Sequence, residues 1–278
     1  MNSVMISNKK FKELNDESFE NTVFNGCVFE NLAKGAVFDE MVFKECRFEN
    51  AENVYFNECK FENCVFENIK NVTFDESVID IEFKNKKLYN CEFSKCNVKM
   101  PLEDFVIEKC EFYNTDVFIN RSKMYKVQIH GIHFQNVDFL EMQNCILDNN
   151  TFENCMFKSK LSILSFMKCK FQGSVFNTYL KYVSFDKAEI LNCDFENSEF
   201  DSCGFEESKW DSVNVKDTKF LKCRFQGSVL KNIDFTQAFV KYSDFTNCML
   251  YNTEGVDVKI KSTDWIVDDE LVGLKDEQ

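Results

Sequence analysis

Phe185-Asp-Lys-Ala-Glu-Ile190-Leu-Asn-Cys-Asp-Phe195-Glu-Asn-Ser-Glu-Phe200-Asp-Ser-Cys-Gly-Phe205 places a large apolar residue at every fifth position. The register runs on without a slip through Trp210, Val215, Phe220, Phe225, Leu230, Phe235, Val240, Phe245 and Leu250. Two residues before each of these stands a small or β-branched one, such as Ala188, Cys193, Ser198, Cys203, Thr218 or Ile233. The other three phases are mostly polar. A period of five fits neither a helix near 3.6 nor a strand at 2. A short fixed period predicts a solenoid, in which each unit buries its apolar face only by stacking on its neighbours.

The rest of the chain follows the same rule with slips. Clean runs include Phe19–Phe24–Phe29, Phe38–Phe43–Phe48, Phe56–Phe61–Phe66 and Phe166–Phe171–Phe176. Of the 32 Phe, all but Phe11, Phe105, Phe118 and Phe239 read as centres, and all 14 Cys fall two residues before a centre. Phe19, Phe38, Phe56, Phe74, Phe93 and Phe112 recur every 18 or 19 residues, and four-residue steps such as Ile79 to Phe83 and Phe176 to Leu180 absorb the difference. This predicts four sides per coil, one side often a residue short, and regular coils of about twenty residues from Phe176 onward. Roughly twelve coils at the strand spacing of ~4.8 Å would give a rod on the order of 60 Å.

Here the chain resembles the pentapeptide-repeat family, the right-handed quadrilateral β-helices. The matching units are Cys46-Arg-Phe48-Glu-Asn50, Cys59-Lys-Phe61-Glu-Asn63, Cys64-Val-Phe66-Glu-Asn68 and Cys193-Asp-Phe195-Glu-Asn197. The resemblance covers about residues 17 to 265. It implies an all-β fold with the centre and the residue two before it pointing inward. Many members prefer Leu and Ala at these positions, where this chain prefers Phe and Cys. The Asn two after many centres suits a tight corner, because Asn tolerates positive φ. Residues 1–16 read as an N-terminal cap, 17–265 as the solenoid with an irregular segment at 113–131, and 266–278 as an acidic tail or cap. A dimer seam at a terminus is the alternative to capping.

Chemistry is the least supported function. The cysteines form no C-x-x-C pair and read as inert buried fillers. His130 and His133, the only histidines, flank the inward Ile132 and precede the inward Phe134, which turns both outward and argues against a metal site. No nucleophile elbow, P-loop or dinucleotide fingerprint occurs. No catalytic residue and no cofactor is expected. The start lacks a signal-peptide pattern and no stretch reaches a membrane span, so a soluble cytoplasmic protein is expected. Segment 113–131, with Arg121, Lys123, Lys126 and Gly131, is either a distorted coil or a loop projecting from the wall.

Charge is the informative surface feature. The net charge of −14 opposes direct nucleic-acid or anionic-membrane binding. It is distributed as +3 over residues 1–12, −12 over 13–82, +4 over 83–182, −7 over 183–212, +3 over 213–251 and −5 over 252–278. Stacking the coils aligns Glu20, Asp39 and Asp75 in one column, Glu40, Glu58 and Glu76 in the next, and Glu30, Glu49 and Glu67 on another side. Each like-charge step at ~4.8 Å costs up to ~1 kcal/mol before screening, so folding does not ask for such columns. Over 13–82 the density reaches about one charge per ~1.5 Å, close to the ~1.7 Å of B-DNA. Some pentapeptide-repeat proteins mimic DNA and bind type II topoisomerases, protecting or inhibiting gyrase. The resemblance thus implies a protein-binding DNA mimic with these acidic columns as its contact. A mimic is acidic along its contact length, which 83–182 and 213–251 are not. The alternative is a general interaction scaffold recognised through 113–131 or the ends.

Overall fold

The computed structural model describes residues 4–14, 19, 22–32, 34–113, 115–158 and 161–255. It is a parallel β-solenoid of about twelve turns, without a helix among the described residues. The chain divides into two compact units, Met1–Ile132 and His133–Gln278.

In the first unit the apolar centres stack in four columns, one per side of the coil. One runs Ile6–Phe24–Phe43–Phe61–Ile79–Val98–Val117. A second holds Phe11–Phe29–Phe48–Phe66–Phe83, and a third includes Ala51–Ile69 and Leu88–Ile107–Met124. The fourth is Phe38–Phe56–Phe74–Phe93–Phe112–Ile129. The second unit repeats the scheme with Phe134–Phe152–Phe171–Ile190–Trp210–Leu230–Leu250 and Met142–Leu161–Leu180–Phe200–Phe220–Val240. From Leu180 onward partners lie twenty residues apart, as in Leu180–Phe200–Phe220, which is the coil length the five-residue steps predict.

The interior follows from two inward positions. Centres on successive coils stack face to face, with Phe43 and Phe61 rings 5.1 Å apart at 11° and Phe93 and Phe112 5.0 Å apart at 2°. Around one coil they meet edge to face, as Phe56 and Phe61 do at 5.1 Å and 85°. Both arrangements lie in the range aromatic quadrupoles favour. Thirteen of the cysteines are buried and Cys248 is partly buried; none is bonded in a disulfide. They are more than fillers. Cys64 Sγ donates to the Phe43 carbonyl at 3.3 Å, Thr115 Oγ1 to Phe93 O at 2.9 Å and Thr218 Oγ1 to Phe195 O at 2.7 Å. A buried carbonyl left without a donor is costly. The position therefore favours side chains that are small and carry an S–H or O–H.

Corners come in two kinds. Most place the residue two after a centre at left-handed φ, including Asn63, Asn154, Asn192 and Asn197 at 50°, 51°, 50° and 62°. Asn31, Asn50 and Asn68 depart from that expectation. They form an amide ladder, Asn50 Nδ2 donating to Asn31 Oδ1 at 3.3 Å and Asn68 Nδ2 to Asn50 Oδ1 at 3.1 Å. The side is shorter there, Phe48 to Ala51, and side-chain amides rather than a left-handed turn hold the bend.

Two expectations change and one alternative is decided. The proposed cap contains a coil: Val4–Ser7 pairs with Thr22–Asn25, and Lys10–Phe11 with Val28–Phe29. Phe11 is a centre, its ring stacked on Phe29 at 5.2 Å. The three-residue step from Phe11 to Leu14 hides this coil from five-residue stepping. Segment 113–131 stays in the wall. Asp116–Asn120, Lys123–Tyr125 and Gln128–His130 pair in parallel with the preceding coil, at an offset of seventeen residues between Phe112 and Ile129. Phe105 is buried two residues before Ile107, filling the place of a cysteine. The tail at 266–278 lies outside the described residues.

Candidate protein-binding faces

The acidic column on the fourth side of the first unit is built at corners. Phe38, Phe56 and Phe74 point inward, so the residues two further on, Glu40, Glu58 and Glu76, occupy successive turns at φ 51°, 49° and 46°. Each turn is fixed by its own N–H, Glu40 N donating to Asn57 O at 3.0 Å, Glu58 N to Asp75 O at 3.0 Å and Glu76 N to Ser94 O at 2.9 Å. The three side chains are exposed. Lys95 closes the column, its Nζ 2.6 Å from Glu76 Oε1. Among the described residues neither Glu40 nor Glu58 has a cation within ion-pair distance.

The neighbouring column is Asp39–Asn57–Asp75 in strict register. Asn57 Nδ2 donates to Asp39 Oδ1 at 2.6 Å, so an amide separates the two carboxylates. Tyr55 O–H donates to Asp75 Oδ2 at 3.0 Å, while Asp75 Oδ1 is buried without a partner among the described residues. Glu20 lies outside the described residues.

The third predicted column, Glu30–Glu49–Glu67, is compensated at Glu30 and Glu67. Lys10 Nζ lies 2.6 Å from Glu30, and Arg47 pairs with Glu67. The Lys10 ammonium holds the Glu30 carboxyl below its ordinary range. These partners sit one coil away, one column across, and neutralise much of the stack.

Glu92 and Glu111 extend the acidic side and escape a charge count by blocks. They follow Thr73 in register, next to Asp75. Burial, then the carboxylates of Glu111 and Asp75, push the Glu92 pKa up. Tyr113 O–H donates to Glu111 Oε2 at 2.9 Å and Gln128 Nε2 to Oε1 at 3.2 Å. The signal for them lies in the position before each centre, Thr73, Glu92, Glu111 and Gln128, read down the coils.

Other candidate features are structural. A cleft of about 570 Å³ beside Asn50, Asn68, Asn85 and Tyr89 is floored by the amide ladder. Asn50 and Asn68 each spend both amide hydrogens, one on a neighbouring Asn and one on a main-chain carbonyl. His130 and His133 are exposed, with His133 Nε2 3.2 Å from Glu153. No metal-binding cluster occurs among the described residues. Burial pushes the Cys59, Cys169 and Cys193 thiols up to about 12, far from a reactive thiolate.

Both inward positions and the left-handed corners of a five-residue unit are thus in place. The chain is a parallel β-solenoid built on a five-residue unit. No family model and no curated protein matches it. Among solved structures it is similar to QnrB1, a plasmid-mediated fluoroquinolone resistance protein, at 12% identity over 90% of this chain and 93% of that one, with a TM-score of 0.27. It is also similar to HetL, a pentapeptide-repeat protein involved in heterocyst differentiation regulation from the cyanobacterium Nostoc sp. strain PCC 7120, at 10% identity, 88% and 87% coverage and a TM-score of 0.24. The A-module of the Azotobacter vinelandii mannuronan C-5 epimerase AlgE4 aligns at 6% identity over 91% of each chain, with a TM-score of 0.25. Likenesses this remote say nothing of which function the solenoid serves.

Proposed function

We propose that this protein is a non-enzymatic binding solenoid whose acidic side in the first unit engages the cationic surface of a DNA-binding enzyme, a type II topoisomerase such as gyrase being the leading partner. The observation that carries this is the column Glu40–Glu58–Glu76. Three like charges repeat on successive coils at corners where Glu is a poor choice, since left-handed φ favours Gly and Asn. A sequence under selection for folding alone would alternate sign or use Asn. Asp39, Asp75, Glu92 and Glu111 broaden the same side.

The test is a supercoiling assay with purified gyrase, with and without a quinolone, titrating this protein. Dose-dependent inhibition or protection is expected, weakened by Glu40→Lys, Glu58→Lys and Glu76→Lys together and by added salt. No effect at tens of micromolar protein and low salt would sink the gyrase reading.

One observation favours the scaffold alternative. Ile163 and Tyr182 stand at left-handed φ of 56° and 54° on adjacent coils, 50% and 56% exposed. A β-branched residue there is an outlier that no burial explains. Partner binding that survives reversal of the acidic column but fails with Ile163→Asn and Tyr182→Asn would select this reading.

A further inference from the structure

We propose that the side of the first unit carrying Lys87, Lys109 and Lys126 is a docking surface for an extended acidic peptide of a partner protein. Three strands in parallel register build it, Lys87–Tyr89, Val106–Glu108 and Lys123–Tyr125. Their centres Leu88, Ile107 and Met124 are buried. The residue before each centre, Lys87, Val106 or Lys123, is exposed, and the residue after it, Tyr89, Glu108 or Tyr125, is half-buried. The corner that follows holds Asn90, Lys109 and Lys126 at φ 52°, 56° and 55°. On the coils above, the same corner is Asn53 and Asn71, joined by an amide hydrogen bond of 2.8 Å. Asn suits a left-handed turn. The column exchanges it for two lysines on successive coils, a like-charge step that folding does not ask for. Among the described residues Lys87, Lys109 and Lys126 have no carboxylate within ion-pair distance. Lys109 Nζ donates to the Tyr89 hydroxyl at 2.5 Å and stands 4.7 Å over its ring. Val106, 37% exposed, lies in register between Lys87 and Lys123 and adds an apolar contact.

The carboxylates nearby choose the occupant. Glu108 is the one acid on the surface itself, in register between Tyr89 and Tyr125. Glu52 at the upper margin is paired with Lys70 at 3.0 Å. One flank carries Glu103 and Asp104, the latter paired with Arg121 at 3.1 Å. The other flank, past the Lys109 corner, carries Glu92 and Glu111. Three strand residues span about 10 Å, so the cationic strip is narrow and edged by acid on both sides. An extended peptide fits that width, its carboxylates on Lys87, Lys109 and Lys126 and an apolar side chain on Val106 and Tyr89. A nucleic-acid duplex is charged along both strands and would press phosphates against the flanking carboxylates. The strip lies apart from Glu40, Glu58 and Glu76, so its test stands whether or not the gyrase reading does.

Fluorescence anisotropy of a labelled oligoglutamate with a central phenylalanine, titrated with the full chain, tests this. Saturable binding at low salt, lost as salt rises, is expected. Lys109→Glu with Lys126→Glu should weaken it about tenfold, as two exposed attractions become repulsions. Lys168→Glu with Lys222→Glu makes the same change of net charge at exposed left-handed corners of the second unit and should leave binding unchanged. If the first pair disturbs the circular dichroism, Lys109→Asn with Lys126→Asn restores the residue of the coils above and gives the same readout with a smaller loss. Four results would each overturn the proposal. The peptide does not bind at low salt; or both charge-reversed pairs weaken it equally; or a labelled DNA duplex binds more tightly than the peptide; or the protein self-associates through Lys109 and Lys126, which puts a second copy on the strip.

Discussion

Glu40, Glu58 and Glu76 repeat one sign from coil to coil, whereas several columns of the second unit alternate it. There Lys170, Glu189 and Lys209 follow one another, with separations of 3.4 and 4.0 Å about Glu189. Lys181 meets Asp201 at 3.5 Å, Glu199 meets Lys219 at 3.3 Å, Glu196 meets Lys216 at 3.6 Å, and Asp211 meets Lys231 at 3.4 Å. Each exposed pair is worth little, but alternation removes the repulsion that in-register strands would otherwise impose. The same backbone thus supports a neutralised ladder in one region and, in another, one in which only Glu76 is paired. The difference lies in the side chains that folding leaves free to vary, which is where the proposed binding role would be encoded.

The comparison requires that the two interiors be equivalent, and this can be broken directly. Phe56 stacks between Phe38 at 5.2 Å and Phe74 at 5.3 Å. Phe205 stacks between Phe185 at 5.1 Å and Phe225 at 4.8 Å. Both are fully buried. Phe56→Ala and Phe205→Ala should each cost about 3–5 kcal/mol in urea unfolding, through lost contacts and the cavity left behind. A Phe56→Ala cost below about 1 kcal/mol would mean a loosely packed acidic region, and the acidic columns would then need no functional explanation.

The interior is legible in the sequence because both inward positions obey one period and their residue types are restricted. Coil length is legible wherever the slips repeat, as in Phe38, Phe56, Phe74 and Phe93. The first coil is not, since Ile6, Phe11 and Leu14 are unequally spaced. The site is legible only as columns of like residues. Stacking by register finds Glu40, Glu58 and Glu76. It does not reveal that Arg47 reaches Glu67, because that pairing runs diagonally between columns and depends on side-chain reach. Nor does it reveal that Asn50 and Asn68 form a ladder while Asn63 makes a turn, because the same Phe-Glu-Asn unit precedes all three.

A smaller effect separates the two chemistries of the inward small position, which is Cys at 59, 169 and 193 but Ser or Thr at 198, 208 and 218. The thiols sit at about 12 in the folded protein, above the ordinary value of 9. The unfolded chain therefore loses those protons first as pH rises. Stability is fully present below pH 9 and is lost between about 9 and 12, by up to ~1.4 kcal/mol per pH unit for each such thiol. Urea midpoints should fall from pH 8.5 to 10.5. Cys59→Ser keeps a donor for the Phe38 carbonyl, which Cys59 Sγ reaches at 3.3 Å, and should reduce the slope. An equal slope in the variant would place the alkaline sensitivity elsewhere.

The smallest expected effect is the most informative. Glu40→Asn with Glu58→Asn removes two like charges and gives both left-handed corners a residue suited to them. Relief of strain and of repulsion should stabilise the protein by on the order of 1 kcal/mol per site. Adding 0.5 M salt to the wild type should recover only the electrostatic part, and the variant should respond less to salt. The same pair of changes should weaken partner binding. A gain in stability with a loss of binding is the trade expected of residues kept for contact rather than for folding. If the variant is instead destabilised, Glu40 and Glu58 support the fold, and the contrast with the alternating columns loses its functional meaning.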